Sequence, residues 1–186
     1  MSFKVLVIPE DPTLNGYILK PLVETVLREA GKPKAKVTVL SNPKVGGFDQ
    51  ALHAIREILP LSYKHWDLWI FMPDADRASA PAMRALEEQL RDKGISLLCS
   101  PAQPEVEIYC CIGHRSELQS AWDEVRFSSR MKEDYFEPLL KKHGDTNRAG
   151  GGRDTLLALA LAKTSTLFQL CPELADLRDR VRQLYF

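Results

Sequence analysis

Residues 70–77, Ile70-Phe71-Met72-Pro73-Asp74-Ala75-Asp76-Arg77, decide how the chain is read. The residues leading into this stretch, Trp66 to Met72, are mostly bulky and apolar, as in a strand buried on both faces. Pro73 ends the run, and two carboxylates follow, one residue apart. A buried strand that delivers Asp74 and Asp76 to one point implies a site at its end.

Working outward, the same grammar repeats. Residues 3–8, FKVLVI, form a second continuous apolar run, closed by Pro9 and followed by Glu10 and Asp11. Ile18, Leu19, Leu22, Val23, Val26, Leu27 and Ala30 fall on one helical face that stops at Gly31, with Pro21 read near the first turn. Residues 37–40 read as a strand, 48–59 as a helix and 67–72 as the strand already described. Ser79 and Pro81 open a helix ending near Gly94, and 95–99 form a fourth strand. Strands alternating with helices predict an α/β fold built on a doubly wound, mainly parallel four-stranded sheet of Rossmann-like type. Beyond Ser100 the pattern turns helical, with helices expected near 104–112, 116–126, 133–143, 154–170 and 173–184. We therefore expect an α/β core over 1–112 and a helical C-terminal extension over 113–186, packed as one compact domain. The segment 145–153, with Gly150-Gly151-Gly152, reads as a flexible connection.

Bulk composition excludes several classes. With 186 residues the chain suits one domain, and 25 basic against 25 acidic side chains give no net charge. Nonspecific nucleic-acid binding draws on phosphate neutralisation, so any such contact here must be local, metal-assisted or helped by a partner. No apolar run reaches the roughly 18–20 residues that span a bilayer, and no signal-peptide pattern opens the chain, so a cytoplasmic protein is expected. Cys99, Cys110, Cys111 and Cys171 lack the spacing of a zinc or dithiol site and read as reduced, buried thiols. His53, His65, His114 and His143 show no helix-face pairing that makes a zinc site. Trp66, Trp69 and Trp122 read as packing residues rather than base-stacking platforms.

In open parallel sheets, ligands bind at the carboxyl ends of strands where the strand order reverses. Asp74 and Asp76 lie at that end of the third strand, and Glu10 at that end of the first. Alternate residues of an extended segment face the same way, and adjacent strands lie roughly 4.8 Å apart, so the three carboxylates converge if these strands are neighbours. Acids packed together repel unless a cation joins them, and oxygen ligands suit Mg2+ or Mn2+. The competing reading makes Asp-x-Asp a turn or helix cap, with Asp76 serving Arg77 or the helix after Ser79. Glu105 and Glu107 follow the fourth strand, where a helix dipole favours acids, and Glu107 is placed to turn toward the metal. Arg77 is the nearest cation for a phosphate, with Arg153 and Lys141 as more distant candidates among the basic residues of the C-terminal part.

A strand ending in Glu10, a helix, and a later strand ending in Asp74-x-Asp76 resembles the Toprim domain of type IA and type II topoisomerases, bacterial primases and overcoming-lysogenization-defect nucleases. Small stand-alone bacterial Toprim-like proteins carry Pro-x-x-Glu-x-aromatic after the fourth strand, matched here by Pro104, Glu107 and Tyr109. The resemblance covers roughly residues 3–110. It implies Asp74 and Asp76 as magnesium ligands, Glu10 as a ligand or general acid/base, and Glu107 as an accessory acid. Toprim segments usually follow the glutamate with glycine, whereas here Asp11-Pro12 follows and the first glycine is Gly16, which leaves Asp11 as a substitute for Glu10. The implied function is a magnesium-dependent phosphodiester hydrolase, a nuclease acting on DNA or RNA, with a partner ATPase and a bacterial or phage defence role by association. The alternative is a noncatalytic interaction or nucleotide-binding module on the same fold. A receiver domain requires a fifth strand ending in Lys, which is not found, and haloacid-dehalogenase phosphatases place Asp-x-Asp after the first strand. The chain holds neither a Walker loop nor a Gly-x-Gly-x-x-Gly fingerprint.

Overall fold

A computed structural model describes residues 2–145 and 147–185; Met1, Thr146 and Phe186 lie outside the described residues. The strands are β1 (Lys4–Pro9), β2 (Lys36–Val39), β3 (Leu68–Met72) and β4 (Leu97–Cys99), all parallel and in the order β2-β1-β3-β4. Every residue of β3 and all but Lys4 of β1 are buried, because helices cover both faces of the sheet. Val5, Val7, Leu68, Ile70 and Met72 feed one core, and Leu6, Ile8, Trp69 and Phe71 feed the other. The strand order reverses between β1 and β3, so the crevice that ligands use in such sheets opens where these two strands end.

Helix α1 (Pro12–Glu29) packs on the first core through Ile18, Leu19, Leu22, Val23, Val26 and Leu27. It begins earlier than the sequence reading held. Asp11 is its N-cap, accepting a hydrogen bond from the Thr13 N–H at 2.8 Å, and Pro12 takes the first turn. Pro21 therefore lies inside the helix and does not open it.

The opposite core is covered by α4 (Ala80–Asp92) and by a helix that starts as α2 (Phe48–His53), widens into a π turn at Ala54–Ile58 and ends as α3 (Leu59–Ser62). The π turn immediately precedes Pro60, which has no N–H to give the carbonyl four residues back. That carbonyl, on Arg56, accepts from Lys93 Nζ at 3.1 Å.

The C-terminal region departs from the expected helices in several places. Only α5 (Ile108–Cys111) forms within 104–112, and it continues as a 3-10 turn, Ile112–Glu117. Within 116–126 only α6 (Trp122–Arg126) is α-helical. A second π turn, Lys132–Phe136, leads into α7 (Glu137–His143), again just ahead of a proline, Pro138. The expected helix over 154–170 is two, α8 (Arg153–Leu161) and α9 (Thr164–Leu170), broken at Lys163 where ψ turns to 65°. The chain closes with α10 (Pro172–Tyr185). These helices pack on the α1 side, where Phe136, Leu157, Leu174 and Leu177 join the same core cluster as Leu22 and Val26.

The triple glycine is a packed turn and not merely a loose connection. Gly150, Gly151 and Gly152 all have positive φ, a conformation that side chains disfavour. A Cβ at Gly150 would sit 2.4 Å from the Tyr17 ring, and one at Gly152 would sit 2.3 Å from the Asp145 nitrogen. Gly is the residue that lets this turn close against α1.

Candidate active site

Pro9 pairs with Met72 at the ends of β1 and β3, so Glu10 and Pro73-Asp74 leave the sheet side by side. The Asp74 N–H donates to Glu10 Oε1 at 3.0 Å. The Asp74 carboxylate reaches the other way, with Oδ1 accepting from the Val106 N–H at 3.0 Å. The Ala75 N–H donates to the carbonyls of Ala102 (3.0 Å) and Pro104 (2.9 Å), which clamps the segment after β4 to the end of β3. That clamp delivers Glu107 to the same crevice, with Glu105 near enough to feel the charges of Glu107 and Asp74.

Glu107 is only 3% exposed and its Oε1 lies 3.0 Å from Lys132 Nζ, contributed by the second π turn. A cavity of about 150 Å³ is lined by Glu10, Asp11, Asn15, Asp74, Glu107 and Lys132, among others. The acids strain one another. Burial, then the Asp74 charge, pushes the Glu10 carboxyl up to about 7, against the Asp74 N–H that favours its anion. Burial pushes Asp74 up to about 6, opposed by the Val106 N–H and reinforced by Glu107 and Asp76. Burial, Glu107 and Asp74 push Glu105 up to about 7 as well.

The sequence candidates are placed as follows. Glu10, Asp74 and Glu107 line one cavity. Asp76, expected as a metal ligand, is exposed and does not line this cavity, though it is near enough to raise the pKa of both Glu10 and Asp74. Asp11 lines the cavity too, but its carboxylate is committed to the Thr13 N–H as helix cap. Arg77 points its guanidinium at Asp49, 2.9 Å away, and lies over the Phe48 ring at 5.1 Å from its centroid. It is near enough to lower the Glu10 pKa while holding that pair.

Two residues join the cluster in roles that their sequence context does not assign, Glu105 and Lys132. Glu105 lies ahead of α5, and Glu107 and Asp74 are near enough to raise its pKa. Lys132 is the cation of the site, and nothing in its local sequence marks it. Of the other basic residues in the C-terminal part, Arg126 pairs with Glu173, Arg130 with Asp134, Lys142 with Glu117 and Arg148 with Asp154. Arg153 is buried, with Nη1 donating to the Gly150 carbonyl at 3.2 Å and the guanidinium over Phe136.

The donor set is all oxygen, desolvated and short of positive charge, which suits a hard divalent cation. Among the described residues, no three of these acids bring one oxygen each within 4.8 Å of one another. The convergence expected of the Glu10, Asp74 and Asp76 carboxylates is therefore not met, because the Asp74 carboxylate turns to the Val106 N–H while its own N–H holds Glu10. Asp74 is the carboxylate that would hold such an ion, with Glu10 beside it on the same cavity.

A second group of ligating side chains lies outside the crevice, formed without any pairing along one helix face. His114 and His143, 29 positions apart in sequence, are brought together with Glu117, and one donor atom from each lies within 4.8 Å of the others. The four cysteines are all free and buried. Among the described residues no helix is long and apolar enough to cross a membrane. No family model, curated protein or solved structure matches this chain.

Proposed function

We propose that the chain is a magnesium-dependent phosphodiester hydrolase of Toprim type, acting on nucleic acid as a nuclease. The observation that carries the reading is the Glu10–Asp74 contact at the sheet switch point, where acids with raised pKa values gather around one cavity. Glu10, poised near 7, can both accept and return a proton at neutral pH, as a general acid/base requires. In the reaction, water oxygen bonds to phosphorus as the P–O bond to the leaving nucleotide breaks. Glu10 takes the proton of the attacking water, and the leaving oxygen gains one from solvent. A bound divalent ion supplies charge stabilisation to the phosphate and lowers the pKa of its water. Lys132, held by Glu107, offers a second positive charge beside the same cavity. Partnership with an ATPase and a role in bacterial or phage defence extend this proposal through the same Toprim resemblance.

One observation favours a nucleotide-binding module as the second reading. A cavity of about 500 Å³, lined by Thr13, Tyr17, Lys20, Thr38 and Ser41, lies beside the start of α1. Its size and mixed polar lining suit a small ligand. Incubation of the chain with labelled DNA and RNA, in Mg2+ or Mn2+ against EDTA, separates the two: metal-dependent cleavage that Asp74→Asn removes supports the hydrolase. Nucleotide binding without cleavage of either nucleic acid would replace it.

A further inference from the structure

We infer that His114, Glu117 and His143 form a binding site for a first-row transition metal, zinc foremost, distinct from the acidic crevice. His114 and Glu117 belong to the 3-10 turn Ile112–Glu117, and His143 is the last residue of α7. His114 Nδ1 lies 3.3 Å from Glu117 Oε1, and His143 Nε2 lies 2.9 Å from the same carboxylate. Zinc bonds of about 2.0–2.2 Å in a tetrahedral arrangement put neighbouring donors roughly 3.3–3.5 Å apart. Two of the three separations are thus within about half an ångström of what such an ion needs, and all three are within 4.8 Å.

The surroundings fit a metal site in three further ways. The His114 ring is 95% buried and stacks on His143 with centroids 4.6 Å apart, so its orientation is set by packing rather than by solvent. Lys142 Nζ holds Glu117 Oε2 at 2.6 Å, which fixes the carboxylate from behind as outer partners do for metal-bound acids. The Glu117 and His143 side chains remain 28% and 31% exposed, so an ion can enter and keep a water at its fourth position. Two imidazoles with one carboxylate prefer Zn2+, Co2+ or Ni2+ over the oxygen-seeking Mg2+. The site is carried entirely by the C-terminal part, and it ties the turn after α5 to the end of α7. Since α7 continues from the turn bearing Lys132, metal here braces the segment that meets Glu107.

The test is metal stoichiometry on the full chain after EDTA treatment and dialysis, with Zn2+ measured by elemental analysis and Co2+ titrated by its visible absorption. We expect one Zn2+ per chain and a tetrahedral Co2+ spectrum. His143→Ala and Glu117→Gln, both at partly exposed positions, should each weaken Zn2+ binding by roughly a hundredfold or more while circular dichroism stays native. Asp74→Asn should leave Zn2+ binding unchanged, which separates this site from the acidic one. The inference is overturned by no Zn2+ retained at micromolar concentration, by unchanged affinity in His143→Ala and Glu117→Gln, or by Zn2+ lost in Asp74→Asn alone.

Discussion

Glu10→Gln should stabilise the metal-free protein, which is the reverse of what replacing a hydrogen-bonded side chain usually does. Gln keeps an oxygen to accept from the Asp74 N–H, so the 3.0 Å contact survives. What disappears is a carboxylate that burial and the Asp74 charge push from 4.5 to about 7. Because the folded pKa is the higher one, the folded chain holds a proton that the unfolded chain releases between about pH 4.5 and 7. Wild-type stability therefore falls as pH rises through that window, and the whole loss is present at pH 8. At full burial such a shift amounts to about 3 kcal/mol. Glu10 is only half-buried, and solvent screening reduces this to about 1–1.5 kcal/mol. In a chain of 186 residues that corresponds to a rise of roughly 3–5 °C in melting temperature. Calorimetry in EDTA at pH 4 and pH 8 measures it: variant and wild type should melt together at pH 4 and separate at pH 8. Millimolar Mg2+ should then raise the wild type at pH 8 and largely spare the variant. A variant that melts below wild type at pH 8, or a gap that is the same at both pH values, refutes the account of a self-repelling crevice.

Asp74→Asn keeps an acceptor for the Val106 N–H, so the fold should hold while Mg2+-dependent cleavage of labelled nucleic acid falls by at least roughly a thousandfold, read from initial rates. Lys132→Met strips the buried Glu107 carboxylate of its only ion-pair partner among the described residues, and chemical denaturation should show a loss of about 2–3 kcal/mol. The double variant with Glu107→Gln should recover most of that loss, and no recovery would mean that Lys132 acts through packing. Gly152→Ala adds a Cβ at a φ of +79° and 2.3 Å from the Asp145 nitrogen, and should lower stability by at least about 2 kcal/mol in the same assay.

The strands carrying the crevice were legible because their burial is written in consecutive residues. Val5 to Ile8 and Leu68 to Met72 are apolar at every position, which only a sheet covered on both faces requires. From there, the crevice at the carboxyl ends of β1 and β3 needed only the strand order, and Glu10 beside Asp74 follows from it. Local chemistry misled where two signals of the same kind compete. Asp11-Pro12 and Pro21 both resemble helix openings, and the cap bond from Thr13 decides for the first. A helix dipole accounts for acids at Glu105 and Glu107, but the backbone there answers to the clamp between Ala75 and Pro104, a contact made across the sheet. The histidine group was invisible for a similar reason. Its members sit on a 3-10 turn and at the far end of another helix, so no single periodicity holds them.

Lys132 shows most clearly why the helical extension belongs to the site. A carboxylate as deeply buried as Glu107 costs several kcal/mol of desolvation unless a cation meets it. No basic residue between Glu10 and Glu107 does so; the cation comes from 25 positions further on. It reaches Glu107 from a π turn ahead of Pro138, a residue that cannot donate to the carbonyl four places back and so favours the wider turn. Lys132 is itself 39% exposed, which leaves its ammonium able to face solvent or an incoming anion as well as Glu107. The same extension buries Phe136 and Leu157 in the core that α1 lines, so the apolar packing that secures the helices also fixes where that charge stands. The acids at the strand ends therefore depend on the C-terminal helices for charge balance as much as on the sheet for position.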